Sequence, residues 1–515
     1  EIEERDWSSD VCSSDLSRLI KFKERNMTLS RRNLLKTAGL SSLAFVPLSQ
    51  ASAAGFDKEY DIVIIGAGGA GLAAACRAGE LGLKAIVLEK TGIIGGSSVL
   101  CGGQFSTFGT DLQAKKGKKD TAELFFNDMM KTGKNMNDPK VVKAFVDMSK
   151  IQYDFLTKTL NVHPRGVMAA SGMSVPRAHT FNPPEVIKAM TKYARDKGVE
   201  IVLNASAHRL VTDCASGRVI GVKATINKKN VVLGANKGVI LAAGGFSRNP
   251  QLLAKFNPIM AKADAIAGAG TQGDGILMAQ AIGADTLDTT YIKASYGFKL
   301  HPTIIQDMSL ITYSGAIMIN KEGKRFTDES QSYKLQGDAS LAQTDGYSYQ
   351  LFDKNILDYD VKNDTQGIEM MTALTNDPAG QKWVYFGETL EEAAKKAGLD
   401  PKAVKETVEK YNKGIKESND EFGRKSLTSG FGKPVPIEKG PFYIMPTTAA
   451  LIGTYCGLKI NEKAQVINVF NEVIPALYAA GELTGGVHGA AYMTGTAFGK
   501  AICFGRIAVD SIAGK

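Results

Sequence analysis

Cysteine and histidine are scarce in this 515-residue chain, and neither is clustered. The six cysteines, at positions 12, 76, 101, 214, 456 and 503, never come closer than 25 residues to one another. That spacing excludes a C-x-x-C redox pair, a C-x-x-C-H haem attachment and a zinc knuckle. Five histidines, equally scattered, argue against a histidine-rich metal site, and no metal is expected. Neither charge dominates: 62 Lys and Arg against 53 Asp and Glu leave a net +9. The lysines are spread along the chain, as at Lys115-Lys116 and Lys118-Lys119, which reads as a solvated surface and not as a nucleic-acid footprint. No internal repeat and no low-complexity tract is present after residue 53. Glycine, by contrast, is plentiful: 54 residues, roughly 10% against a usual ~7%. A surplus without a G-x-y period points to many tight backbone approaches.

The amino terminus reads as an address. Ser30-Arg31-Arg32-Asn33-Leu34-Leu35-Lys36 is followed by an apolar run, Leu40 to Leu48, and by Ala51-Ser52-Ala53. That order predicts a twin-arginine signal cleaved after Ala53, and therefore a periplasmic protein. The apolar run is far short of the ~20 residues that span a bilayer, so no stable membrane insertion is expected. Met27 is the expected start, and residues 1–26 read as upstream sequence. The twin-arginine route carries folded proteins, often with a cofactor inside.

Asp61-Ile62-Val63-Ile64-Ile65 predicts a buried parallel strand, too short and too β-branched for a helix. Gly66-Ala67-Gly68-Gly69-Ala70-Gly71 follows directly, then a helix from Leu72 to Leu81 and a second strand, Ala85 to Leu88, ending at Glu89. The acid lies 18 residues after the last glycine, completing a βαβ dinucleotide fingerprint. The glycines let backbone N–H groups and the positive helix end meet a pyrophosphate, and Glu89 accepts from an adenosine ribose. NAD and FAD both use this motif, so later glycines must decide. Such glycines recur at 92–96, at Gly102-Gly103, after a strand at Val239 to Ala242 (Ala243-Gly244-Gly245-Phe246), at Gly273-Asp274-Gly275, and after a strand at Leu477 to Ala480 (Gly481-Glu482). A final helix is expected from Thr496 to Ile512, behind Gly495. One cofactor touched at both chain ends implies a discontinuous domain carrying an insertion. Asp420 to Pro436 is the best candidate for an exposed loop.

Together these motifs, over about residues 57–515, resemble the flavoprotein subunit of the fumarate reductase and succinate dehydrogenase family. The nearest branch is that of the periplasmic flavocytochrome-c-type fumarate and urocanate reductases, here without the haem domain. Further matching residues are Ser174-Val175-Pro176-Arg177-Ala178-His179, His301-Pro302-Thr303, Glu322-Gly323-Lys324-Arg325-Phe326 and Gly485-Gly486-Val487-His488-Gly489. The resemblance implies an α/β fold: a Rossmann-like FAD-binding domain of the glutathione-reductase type, split into 54–296 and 453–515, with an inserted α+β capping domain at 297–452. It also implies FAD held non-covalently, because Gly95-Gly96-Ser97-Ser98-Val99 lacks the tethering histidine of quinone-linked members. The cofactor contacts expected on this basis are Gly66, Gly68, Gly69, Ala70, Gly71, Glu89, Lys90, Gly95, Gly96, Ser97, Gly102, Gly103, Ala243, Gly244, Gly245, Asp274, Gly481, Glu482, Gly495 and Thr496. The last helix would aim its amino end at the flavin N1/O2 edge.

At the substrate end the sequence departs from the family. Counting from the matched motifs, Tyr333 stands where the resemblance places a proton-donating arginine, and Tyr492 where it places a carboxylate-clamping one. A second histidine position falls in apolar Leu451-Ile452-Gly453, and a Thr-Glu-x-x-Arg proton relay is missing between Ile304 and Gly315. Arginine forks bind carboxylates bidentately and tyrosine does not replace that charge. The expected catalytic set is therefore Tyr333, Tyr492 and His301, acting on an enone or other activated C=C bond. Flavin-dependent ketosteroid dehydrogenases, a related group, also use tyrosines. A dicarboxylate reductase, a dehydrogenase of that ketosteroid type and a non-catalytic flavin electron carrier stay open. With no haem motif and no second nucleotide fingerprint, a separate c-type cytochrome is the expected electron donor, as in anaerobic respiration.

Overall fold

The strand after Asp57 runs from Lys58 to Ile65, and its apolar half, Ile62 to Ile65, is buried on both faces. The computed structural model describes residues 55–169, 172–363, 367–428 and 432–515; the twin-arginine segment, the expected cleavage point and residues 1–26 lie outside them. Lys58–Ile65 lies inside a parallel sheet between Ala85–Leu88 and Lys229–Leu241, with Glu200–Val202 beyond the first and Val473–Ala479 beyond the second. A β-meander, Ala205–Thr212 and Val219–Ile226, folds antiparallel onto the start of Lys229–Leu241. Register aligns Ile65 with Leu241, and Leu241 with Ala479. The glycine-rich segments after these three strands therefore emerge side by side, at the carboxyl edge where parallel sheets bind ligands.

Two helices cross over this edge. Gly69–Glu80 follows the first strand, and the terminal helix Thr496–Ile512 packs against it. Their closeness depends on a bare glycine: a Cβ on Gly505 would lie 2.2 Å from the Ala70 carbonyl oxygen. Gly71 plays the same part against the strand turn, where a Cβ would meet the Gly66 oxygen at 1.8 Å.

The second sheet is built around Phe442–Leu451, which pairs antiparallel with Tyr347–Asp353, Ser295–Lys299 and Tyr385–Gly387. Ile317–Ile319 extends it, and Asp264–Ala265 joins in parallel at Ala450 and Leu451. Helices such as Tyr333–Leu341 and Pro401–Lys416 cover it around its own apolar core, including Ile317, Leu351, Phe352 and Tyr443. The fold is thus mixed α/β, a dinucleotide-type parallel sheet with a separate capping sheet.

The described residues of the segment from Asp420 form a loop, as its composition suggests, but one that is only partly exposed. Arg424 is buried and donates to the carbonyls of Thr312 (2.7 Å) and Ala316 (3.0 Å). Asp420 accepts from the buried Arg325 at 2.6 Å, and Arg325 also grips Glu329 at 2.7 Å. Asp420 and Arg424 here serve buried ion pairing, which polarity alone does not reveal.

Candidate active site

A cavity of about 950 Å³ runs between the two sheets. At one end it is lined by Gly66, Gly68, Gly69, Ala70 and Glu89. The helix Gly69–Glu80 opens here with no cap from its own N-cap residue and no acid in its first turn, so its amino end keeps positive potential; the Gly69 N–H donates to the Ser98 hydroxyl at 3.0 Å. Glu89 is held in place by the N–H groups of Ala67 (3.0 Å) and Thr91 (2.9 Å) and by the Thr91 hydroxyl (2.8 Å). Lys90 pairs with Asp274 at 2.5 Å, and both line the cavity.

The same cavity is lined by Gly96, Ser97, Gly102, Gly103, Ala243, Gly244, Gly481 and Glu482. Burial raises the pKa of the Glu482 carboxyl, which accepts from the Thr454 N–H at 3.0 Å. The terminal helix contributes Ala497, Phe498, Lys500 and Ala501. It too has a glycine N-cap, Gly495 at φ +81°, without side-chain cap or first-turn acid. Two uncapped helix ends thus meet one elongated cavity, as a dinucleotide with a pyrophosphate and an electron-rich ring requires.

Five expected cofactor contacts stand behind this lining. Gly71 faces the Gly66 turn, and Gly95 donates its N–H to the Ala67 carbonyl at 3.0 Å. Gly245 packs against Thr454 and Glu482, where a Cβ would come within 2.4 Å of the carboxylate. Gly495 donates to the Tyr492 hydroxyl oxygen at 2.9 Å, while buried Thr496 donates to the Met493 carbonyl at 2.6 Å. These residues shape the wall and do not form it.

At the other end the cavity is aromatic. Tyr333 and Tyr492, far apart in sequence, both line it, with Tyr313 and Tyr455. Tyr455 stacks on Tyr492 with centroids 4.6 Å apart, and His488 stands edge-on to both, at 5.5 Å and 5.4 Å. Tyr313 donates to the Gln331 carbonyl at 2.8 Å, which steadies the approach to the helix bearing Tyr333. Leu310, Met308 and Ile452 complete the wall. Burial raises the pKa of each of these tyrosines, so all four are protonated at neutral pH. His488 is pushed the opposite way by the same burial and stays neutral. Among the described residues, no arginine lines the cavity.

His301 does not join this group. It is exposed, in a left-handed backbone at φ +54°, and is not among the cavity residues. Asp307 accepts the N–H groups of Thr303 (2.8 Å) and Ile304 (3.2 Å), tightening the turn that leaves His301 on the surface. Sequence reasoning missed Tyr313, Lys334, Tyr455 and Lys500, all of which line the cavity. Lys334 and Tyr455 had one usable signal, adjacency to a selected tyrosine in the first case and to the strand Phe442–Leu451 in the second.

The sequence pattern described as the FAD binding domain matches residues 61–497. A fumarate reductase (cytochrome) of Shewanella frigidimarina is 33% identical over 464 residues, covering 88% of this chain and 77% of that one. A urocanate reductase of Eggerthella lenta is 33% identical over 473 residues, covering 88% and 74%. Among solved structures, the 3-ketosteroid-Δ4-(5α)-dehydrogenase of Rhodococcus jostii RHA1, in complex with 4-androstene-3,17-dione, superposes with a TM-score of 0.71 at 26% identity, covering 91% of this chain and 99% of that one.

Proposed function

The chain belongs to the FAD binding domain family, with fumarate and urocanate reductases among its relatives, and from that premise we propose how its cavity is used. It is an FAD-dependent oxidoreductase acting on CH–CH bonds. Gly66, Gly68, Gly69 and Ala70 would hold the pyrophosphate, Glu89 the adenosine ribose, and the amino end of the terminal helix the flavin's electron-rich edge. The cofactor is bound non-covalently. When bound and reduced by its electron donor, the flavin would supply two electrons, as a hydride for the β-carbon of an activated C=C bond.

Tyr333 donates the proton to the α-carbon and is reprotonated from solvent; its burial keeps it in the acid form until then. Tyr492 polarises the electron-withdrawing group. Its oxygen already accepts the Gly495 N–H, so its own O–H is left to donate into the cavity. His301, being exposed, has no part. The capping unit closes over the acceptor and excludes water. The observation that carries this reading is two tyrosines at an arginine-free end of the cavity. It favours an enone or another α,β-unsaturated acceptor over fumarate, since a dicarboxylate would lack its bidentate partners. Electrons come from a separate c-type cytochrome, and the site of action is the periplasm.

The test is a panel of enones, unsaturated monocarboxylates, amides and fumarate, with reduced viologen as donor. Rapid reduction of an enone or monocarboxylate and slow reduction of fumarate is the expected result. Fast fumarate turnover, or no turnover of any acceptor, overturns the reading. The ketosteroid dehydrogenase likeness favours a second reading, oxidation of a saturated ketone with Tyr333 as base. Flavin bleaching on anaerobic mixing with saturated ketones would single it out.

A further inference from the structure

Among the described residues, Lys334 is the lysine that lines the cavity against the rings of its aromatic end. Its Nζ donates to the Lys293 carbonyl at 3.1 Å and to the Ser295 hydroxyl at 2.8 Å. It also lies over the rings of Tyr333 and Tyr455, 5.5 Å and 5.4 Å from their centroids. Two of its three N–H groups are committed, so one is left for a ligand. Lys334 is the second residue of the helix Tyr333–Leu341, whose first turn holds no acid, so the helix dipole adds positive potential at the same place.

The charge count around it does not close. Asp338, one turn further along the helix, is ion-paired with Lys293. Two lysines and one acid leave one positive charge over. The other lining lysines are engaged elsewhere: Lys90 pairs with Asp274, and Lys500 donates to the Thr484 carbonyl at 2.8 Å, with the buried acids Glu482 and Asp288 nearby. An ammonium among aromatic and aliphatic walls is costly unless an anion reaches it. Burial accordingly pulls the Lys334 pKa down to about 7, and a bound anion would restore the charged form.

We propose that Lys334 is a specificity-determining residue that binds the carboxylate of a singly charged acceptor, a 2-alkenoate, within reach of Tyr333 and Tyr492. This rests on the C=C reductase reading and names the acceptor class for it. One ammonium matches one carboxylate; among the described residues, the second charge of a dicarboxylate would face tyrosines, Leu310 and Ile452 at this end.

The test is binding to the oxidised FAD-loaded protein, followed by the flavin visible spectrum, with trans-2-butenoate and trans-2-butenamide as probes. The wild type is expected to favour the butenoate by ~10-fold or more, the range of one charge-assisted hydrogen bond. Lys334→Met should bring that ratio near one, and Lys334→Arg should keep it; Lys334→Gln serves if the methionine variant does not fold. Equal affinities in the wild type, an unchanged ratio in both neutral variants, or tighter binding of fumarate than of butenoate overturns the proposal. Turnover of the same probes is measured in parallel. Lys334-dependent binding without turnover of any acceptor would remove the reductase reading and support the inference. Turnover with charge-blind binding would do the reverse.

Discussion

At His179 both ring nitrogens are engaged away from water. Nδ1 donates to the Arg177 carbonyl at 2.8 Å, so Nε2 must accept from the Thr110 hydroxyl at 2.7 Å. Burial pulls its pKa down from 6.5 to about 4. The unfolded chain therefore takes up the proton first, and stability is lost as pH falls through that window. The full loss is roughly 3 kcal/mol at 1.36 kcal/mol per unit. Urea denaturation at several pH values should show a flatter acid limb for His179→Gln than for the wild type; parallel limbs would refute the assignment. Its neighbour Arg177 is buried between Asp120 (2.9 Å) and Asp128 (2.5 Å). Arg177→Met strands two carboxylates and should cost about 3–5 kcal/mol, read as a lowered urea midpoint. The motif that matched the reductases at 174–179 is thus scaffold. For the chemistry, Tyr333→Phe should slow reoxidation of the reduced flavin by acceptor about 10²- to 10⁴-fold, with flavin content unchanged in the purified protein. Stopped-flow traces matching the wild type would take Tyr333 out of the mechanism.

Between elements, the crossing of Gly69–Glu80 and Thr496–Ile512 matters most, because both amino ends open on the cavity. Gly505→Ala pushes a methyl against the Ala70 carbonyl and forces the helices apart. It should destabilise by about 1–3 kcal/mol and lower the fraction of flavin retained through gel filtration. A fully flavin-loaded variant of unchanged midpoint would show that the contact is slack. The strands and helices here were readable from the chain because a βαβ unit is local: its apolar run, glycines and acid fall within a few tens of residues. The capping sheet was harder to read. Its central strand Phe442–Leu451 draws partners from Asp264 to Gly387, and Arg424 reaches back to Thr312. Such long-range ion pairing leaves only a polar composition in the sequence, which is why the burial of Arg424 within the loop from Asp420 was not legible there.

For the molecule as a whole, cofactor and fold are linked by mass action. On the proposed placement, FAD binds where the two sheets and the terminal helix meet, so stripping it should lower the thermal midpoint. Re-addition at 100-fold over its dissociation constant should return roughly 2.7 kcal/mol. A midpoint independent of FAD concentration would contradict the placement of the cofactor in this cavity. The dinucleotide fold and the flavin were both legible in the residues, since each depends on short local motifs. Which groups line the aromatic end of the cavity was not. His301 lies beside a matching Pro-Thr yet turns to the surface, because a left-handed turn carries it there. Tyr455, in another left-handed turn, is brought onto Tyr492, and Lys334 is set between aromatic rings. Neighbourhood in the chain specifies backbone conformation over a few residues; meeting across the cavity depends on how two sheets with separate cores are packed, and that is a property of the folded molecule alone.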